Sequence, residues 1–268
     1  MIALDLSGRN GLILGVANRR SLAWGIAERL SEAGMRLALT YQGERLEDSV
    51  RALAAELTNP LVLPCDVTRD EDIERLFARV REEMPHLDVL VHSIAYANRE
   101  DLAGDYRDTT REGWRIALEI SAFSLVALMR HATPLMEAAE DDPEASGRRG
   151  GAAVALSYIA AERAIPSYNV MGSAKAALEH AVRQLAYELG PRGIRVNTIS
   201  AGPISTLSAR GVGSFTDMLK HAREKAPLRR NVLQREVADA ALFLLTDLAG
   251  GVTGETLHVD CGYSMVGW

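Results

Sequence analysis

Short apolar runs alternate with amphipathic stretches along nearly the whole chain. The runs Gly11–Val16, Arg36–Thr40, Leu61–Pro64, Leu87–His92, Ala152–Leu156, Ile194–Ile199 and Thr256–Asp260 are apolar rather than alternating in polarity. Runs of that length and kind predict strands buried on both faces. Between them, helical spacing of apolar residues predicts helices over Ser21–Ala33, Glu44–Leu57 and Asp70–Arg81, and over a long region from about Thr110 to Ala139. A helix carrying Tyr168 and Lys175 follows, and two more cover Phe215–Lys225 and Arg235–Leu248. Strand–helix alternation throughout predicts an α/β fold, a doubly wound parallel sheet with helices on both faces. No linker or internal repeat divides the chain, so residues 1–268 are expected to form a single domain. The polar segment Glu140–Gly151 (EDDPEASGRRGG) is expected to be a surface insertion between a helix and a strand.

One stretch concentrates the candidate chemistry: Ser157–Lys175, SYIAAERAIPSYNVMGSAK, a strand end, a loop and a helix start. Seven helical residues turn ~700°, so Lys175 returns to within ~20° of Tyr168, about 10 Å along the axis. Both side chains are expected on one helix face, with Val170, Ala174, Ala177, Leu178, Ala181 and Leu185 as an apolar stripe opposite. Gly172 lies near the Tyr–Lys line, where a bare backbone would admit a ligand. Pro166 stands before the helix and Gly190-Pro191 ends it. On its own, such a tyrosine–lysine pair is most often surface decoration, and the rest of the chain has to decide.

Composition narrows the setting. The chain is 47% hydrophobic and 25% charged, as in ordinary globular proteins. A net charge of −6 argues against nucleic acid as the main partner. Two cysteines, Cys65 and Cys261, make no disulfide framework or metal motif and fit a reducing cytosol. The six histidines show no metal-ligand spacing. The first residues, MIALDLSGRNGLIL, do not read as a signal peptide, and no membrane span is expected.

In a doubly wound sheet, ligands bind beyond the C-terminal strand ends. The first strand-to-helix turn, GVANRRSLAWG, lacks the usual GxGxxG. It keeps Gly15 for a sharp turn and Ser21 as a helix N-cap, where unpaired N–H groups favour a pyrophosphate. An ordinary capped helix reads the same way. After the second strand, Gln42 stands where many NAD sites carry an acid, and Arg45 either approaches a 2′-phosphate or faces water. Asp66 and Val67 after the third strand suit an adenine, or a plain solvated turn. The small residues of His92-Ser93-Ile94-Ala95 suit a cofactor lying along the backbone, or a plain strand exit. These residues alone leave NADH and NADPH open.

The first turn, HSIAYA (His92–Ala97), LSYIAAERAIPSYNVMGSAKAALE (Leu156–Glu179), NTISAGPISTL (Asn197–Leu207) and HVDCGYS (His258–Ser264) resemble the enoyl-acyl-carrier-protein reductases of bacterial fatty acid synthesis. These are a divergent, Rossmann-type branch of the short-chain dehydrogenase/reductase superfamily. The likeness runs from about Leu6 to Met265. That family uses Tyr-x6-Lys, as here, in place of Tyr-x3-Lys. With Lys175 as anchor, the ordinary tyrosine position is Met171 and the ordinary serine position is Tyr158. The resemblance implies Tyr168 as the catalytic tyrosine, Lys175 as the ligand of the nicotinamide ribose, and Tyr158 as a supporting site tyrosine. It implies cofactor contacts at Gly15, Ser21, Leu22, Gln42, Asp66 and Val67, and further along at Ser93, Ile94, Ile204 and Thr206. It implies substrate contacts at Ala97, Tyr158 and Tyr168. A glutamine at Gln42 is the NADH-type feature, so NADH is expected over NADPH.

The mechanism so implied adds hydride to the β-carbon of a trans-2-enoyl thioester. Tyr168 donates to the thioester oxygen as charge builds there, and the Lys175 ammonium adds positive charge beside the tyrosine. Ser205 and Cys261 depart from the family pattern, standing for a basic residue and a glycine. Residues 201–226 are expected to form a lid over cofactor and substrate. The basic cluster Lys220, Arg223, Lys225, Arg229 and Arg230, with Arg210, is either a solvated helix face or the docking patch for an acyl carrier protein. The resemblance also implies a cytoplasmic homotetramer, with the apolar back of the Tyr168 helix packing between subunits. The competing readings are a carbonyl-reducing short-chain dehydrogenase and a non-enzymatic dinucleotide sensor.

Overall fold

The computed structural model describes residues 4–137, 150–206 and 215–267. Seven strands make one sheet: β1 Asn10–Leu14, β2 Arg36–Tyr41, β3 Leu61–Pro64, β4 Val89–His92, β5 Ala152–Ser157, β6 Arg195–Ala201 and β7 Thr256–Val259. All neighbours pair in parallel, in the order β3-β2-β1-β4-β5-β6-β7. The order reverses between β1 and β4, which is where such sheets open a crevice for ligands. The doubly wound expectation therefore holds, and each predicted strand lies within two residues of its expected bounds.

The helices are α1 Leu22–Glu32, α2 Glu44–Ala54, α3 Asp70–Glu83, α4 Arg99–Ala103, α5 Arg111–Leu118, α6 Ser124–Met136, α7 Asn169–Leu189, α8 Phe215–Lys225 and α9 Gln234–Leu245. The strands are apolar throughout because both faces are covered. On one face Ile13, Leu37 and Val154 pack with Trp24, Ile26 and Leu30 of α1 and Val237, Ala241 and Leu244 of α9. On the other, Leu12, Leu14 and Val196 pack with Phe77 and Val80 of α3, Leu125 and Leu128 of α6, and Leu178, Val182 and Leu185 of α7. Burial of such side chains contributes about 1.5–3 kcal/mol each before entropy is counted.

Two details differ from the sequence reading. The long region after Thr110 is not one uniform helix: a π-helical turn, Glu119–Phe123, separates α5 from α6. The run Arg111–Met136 is long and apolar enough by length and composition alone to cross a bilayer, but more than half of its most apolar window is buried, with Leu125 and Leu128 against the sheet. The second difference is α4, whose five residues carry too short and polar a pattern to announce a helix. The expected insertion at 140–151 falls mostly outside the described residues, as do residues 207–214 of the expected lid.

Candidate active site

The crevice beyond β1, β4, β5 and β6 is a cavity of about 450 Å³. Its floor begins at the β1–α1 turn. Gly15 has φ +99°, and a Cβ there would lie 2.0 Å from the carbonyl oxygen of Ser93. Only glycine lets this turn sit against the exit of β4. Ser21 occupies the N-cap position of α1 but does not cap it with its side chain. Its Oγ instead accepts from the backbone N–H groups of Ala17 (3.1 Å) and Asn18 (3.0 Å). The hydroxyl thus organises the turn at the positive end of the helix. Gly25, one turn on, is bare for packing, since its Cβ would meet Gln234 at 2.8 Å.

Gly15, Ser21 and Leu22 line the cavity together with Ser93, Ile94 and Ala97 after β4. Tyr158, Tyr168 and Lys175 line it from the β5–α7 side, and Ile204 and Thr206 from beyond β6. Gln42, Asp66 and Val67 do not line it; they stand past the ends of β2 and β3. There Gln42 Nε2 donates to Asp66 Oδ2 at 3.4 Å, and Asp66 Oδ1 accepts from the Thr68 backbone N–H and hydroxyl. Burial raises the Asp66 carboxyl, but these donors outweigh it and hold it below its ordinary value.

Tyr168 is not inside the helix, as the rotation argument assumed. It is the N-cap of α7, between Ser167 at φ +62° and Asn169 at φ +34°. The Asn169 amide donates to the carbonyl of Gly104 and holds the strained entry. Tyr168 still shares a cavity with Lys175, through the bend rather than through helical periodicity. Its ring stacks on that of Tyr158 with centroids 4.6 Å apart and an interplanar angle of 29°. Burial pushes the Tyr168 hydroxyl up to about 12. Burial also raises Tyr158, with Tyr168 and Tyr263 adding to it. Both hydroxyls are protonated donors at neutral pH. The expected influence of the Lys175 charge on Tyr168 is not what sets that state; burial is.

Lys175 is 5% exposed. Its Nζ donates to the carbonyls of Leu156 (2.7 Å) and Ile94 (3.2 Å), which leaves one ammonium proton for the cavity. Burial pushes it down to about 8, against an opposing pull from Glu179. Gly172 proves to be bare for a reason other than ligand approach: its Cβ would meet the Ala160 carbonyl at 2.7 Å. Met171 is buried beside Ala117, Val170 and Ala174 and lines the cavity with a thioether, which offers no hydroxyl proton. Cys261, at the expected glycine position, does adopt a left-handed φ of +61°.

Sequence reasoning missed several lining groups, among them Tyr96, Arg99, Leu102 and Phe215. It missed that the Tyr158 hydroxyl meets the sulfur of Met218 on α8 at 2.9 Å. It also missed the pairing of Ser157 with Glu179, twenty-two residues apart. No local pattern signals contacts between such distant elements.

A ribbon of small residues at the sheet's reversal point, ending at a buried and a half-buried phenol and an ammonium, has the chemistry of a dinucleotide-dependent oxidoreductase. The enoyl-(acyl carrier protein) reductase family model matches residues 15–264. An enoyl-[acyl-carrier-protein] reductase [NADH] of Bacillus cereus is 50% identical over 264 residues, which is 98% of this chain and 99% of that protein. One from Aquifex aeolicus is 46% identical over 98% of this chain and 93% of its own length. The crystal structure of the Bacillus cereus enzyme with NADP+ and indole naphthyridinone superposes with a TM-score of 0.93 at 50% identity, covering 100% of both chains. The Aquifex aeolicus structure gives 0.91 at 46% identity, over 98% of this chain and 99% of that one. The chain belongs to the enoyl-acyl-carrier-protein reductase family.

Proposed function

We propose that this protein reduces the trans-2 double bond of enoyl thioesters held on an acyl carrier protein, using NADH, as a step of fatty acid synthesis. The observation that carries the reading is the Tyr158–Tyr168 stack beside Lys175, with an inert Met171 where a carbonyl reductase needs its tyrosine. A nicotinamide dinucleotide fits the residues present. The bare Gly15 turn and the Ser21 hydroxyl suit its pyrophosphate, with Leu22 beside them. Ser93, Ile94, Ile204 and Thr206 suit the nicotinamide half, and the remaining Lys175 proton suits its ribose hydroxyls. Gln42, Asp66 and Val67 suit the adenosine. The carboxylate beside Gln42 disfavours a 2′-phosphate, which supports NADH over NADPH.

When bound, the dinucleotide supplies hydride to the substrate β-carbon. Tyr168 donates its hydroxyl proton in a hydrogen bond to the thioester oxygen as negative charge builds there, and a proton taken up from solvent at the α-carbon completes the reduction. A donor so aimed lowers the barrier by ~2.7–4 kcal/mol. Tyr158 braces that ring by stacking, and Ala97 bounds the acyl side. Lys175, held by two carbonyls, fixes the ribose edge and thereby the approach angle.

Residues 201–226 act as the lid, of which α8 brings Met218 onto Tyr158. Lys220, Arg223 and Lys225 stand exposed on α8 and serve the acidic carrier protein; Arg229 donates to the Glu224 carbonyl and Arg230 pairs with Glu236. Arg210 of the same cluster lies outside the described residues. The protein works in the cytoplasm as a homotetramer. Of the expected contact stripe, Val170, Ala174, Leu178 and Leu185 pack within the protein's own core, and Ala177 and Ala181 remain for a contact between subunits. An exposed apolar groove joins Trp114 and Phe123 to Ala177 and Ala181 of α7, and light scattering tests whether it is covered in solution. The activity itself is tested by offering trans-2-enoyl and 3-oxoacyl thioesters with NADH. Turnover of the enoyl substrate alone supports the reading, and turnover of the oxoacyl substrate alone overturns it.

A further inference from the structure

Glu179 lies one helical turn beyond Lys175 on α7 and is only 6% exposed. A carboxylate so placed is costly unless something uses it. Ser157 donates its hydroxyl to Glu179 Oε1 at 2.5 Å and is itself 6% exposed. Ser157 is the last residue of β5. Its neighbour on one side is Leu156, whose carbonyl holds the Lys175 ammonium at 2.7 Å. Its neighbour on the other side is Tyr158, stacked on Tyr168. One hydrogen bond therefore ties the strand end that carries both contacts to the helix that carries the lysine.

We infer that Glu179 is a positioning residue for the reductase reaction: through Ser157 it sets the spacing between Lys175 and the tyrosine pair, and its carboxyl, one helical turn on, acts on the Lys175 side chain. The inference rests on the proposed role of Lys175 toward the dinucleotide ribose.

The electrostatics agree with the geometry. Burial lowers Lys175 to about 8, and Glu179 is the group that opposes the fall. His92, wholly buried in β4, is pushed down to about 3 by burial and by Lys175, so it stays neutral and adds no competing charge. Around Glu179, burial raises the carboxyl and Ser157 lowers it; Glu162 raises it, while Arg183 and His258 lower it. Glu162 and His258 pair with each other at 2.8 Å. The attraction thus shows on the ammonium, while the carboxyl's own titration follows its burial and these neighbours.

The test is favoured by composition, because the chain has three lysines, Lys175, Lys220 and Lys225, and the last two are exposed. Lysine-selective isotope labelling of the cofactor-free protein gives three NMR signals, and Lys175→Met identifies the buried one. Glu179→Gln keeps an acceptor for Ser157 and removes the charge. The Lys175 midpoint should then fall by about one pH unit, and NADH affinity at pH 8, read by fluorescence, should weaken about five-fold. Glu179→Asp should restore the midpoint. Ser157→Ala keeps the carboxyl but removes the hydrogen bond that lowers it, so kcat should fall while the Lys175 midpoint moves less than in Glu179→Gln. A Glu179→Gln protein with lower Tm but an unmoved Lys175 titration would show a merely structural carboxylate and overturn the inference. If Glu179→Gln does not fold, Ser157→Ala decides: wild-type kcat overturns the inference. A shifted titration in a protein that reduces no enoyl thioester would fail the proposed function and leave the Lys175–Glu179 coupling standing.

Discussion

Replacing Gly172 by alanine sets two effects against each other. In a helix interior, alanine is favoured over glycine by ~1 kcal/mol. The new Cβ, however, would lie 2.7 Å from the Ala160 carbonyl oxygen, against 3.4 Å for an ordinary contact. That oxygen belongs to the 3-10 turn Ile159–Ala161, which begins at Tyr158 and is closed by the Ala161 N–H on the Tyr158 carbonyl. Ile159 is 3% exposed, so the turn cannot swing freely aside. Crowding of this kind costs ~1–3 kcal/mol. The net expectation is a loss of up to ~2 kcal/mol and a Tm lower by up to roughly 8 °C. Any relief moves Tyr158, and a displacement approaching 1 Å lowers kcat/KM by up to ~10²-fold. Gly190→Ala is the control. It sits at the helix end with φ −54° and no atom beyond its chain neighbours within reach, so the ~0.4–1 kcal/mol gain from alanine is set against the new Cβ meeting the Pro191 ring, and its Tm should stay close to wild type. Calorimetry with enoyl thioester kinetics measures both quantities. A Gly172→Ala protein with raised Tm and wild-type kcat/KM would refute the reasoning.

Gly15→Ala should abolish NADH binding by fluorescence titration, because a Cβ 2.0 Å from the Ser93 carbonyl must push β4's exit into the crevice. Retained micromolar binding would count against that floor. Lys175 titrates near 8 folded and near its ordinary 10.5 unfolded, so the unfolded state binds the proton in between and stability rises with pH there. From pH 7.5 to 9.5 this adds about 2 kcal/mol to the cofactor-free protein, and urea melts of Lys175→Met should lack that increment. An identical pH slope in the variant would be inconsistent with a buried ammonium. Reversing Arg223 and Lys225 to glutamate should raise KM for the carrier-bound substrate and spare the coenzyme A thioester; equal effects on both would sink the docking role.

Most of the architecture was legible because buried parallel strands have an unmistakable composition, and Ile13 or Val154 needs no long-range knowledge to be read as core. Tyr168 and Lys175 were legible as a pair, but for a partly wrong reason. Periodicity presumed a helix through Tyr168, whereas the left-handed residues Ser167 and Asn169 bend the chain there. The role of Gly172 was misread because its neighbour, Ala160, is set by tertiary packing alone. The stripe on α7 carried no label saying whether its own sheet or another subunit would cover it; Leu178 and Leu185 went to the sheet. The Ser21 hydroxyl was sent to the helix by a rule about caps, and the tight turn claimed it first. Ser157–Glu179 and Tyr158–Met218 join elements whose meeting only the sheet order decides.

The most direct measurement follows NADH absorbance with a trans-2-enoyl thioester, for the wild-type protein and Tyr168→Phe. The account predicts oxidation by the wild type and a kcat lower by ~10²–10³ in the variant, with NADH affinity unchanged. Wild-type turnover in Tyr168→Phe, or no oxidation by the wild type at all, would contradict it.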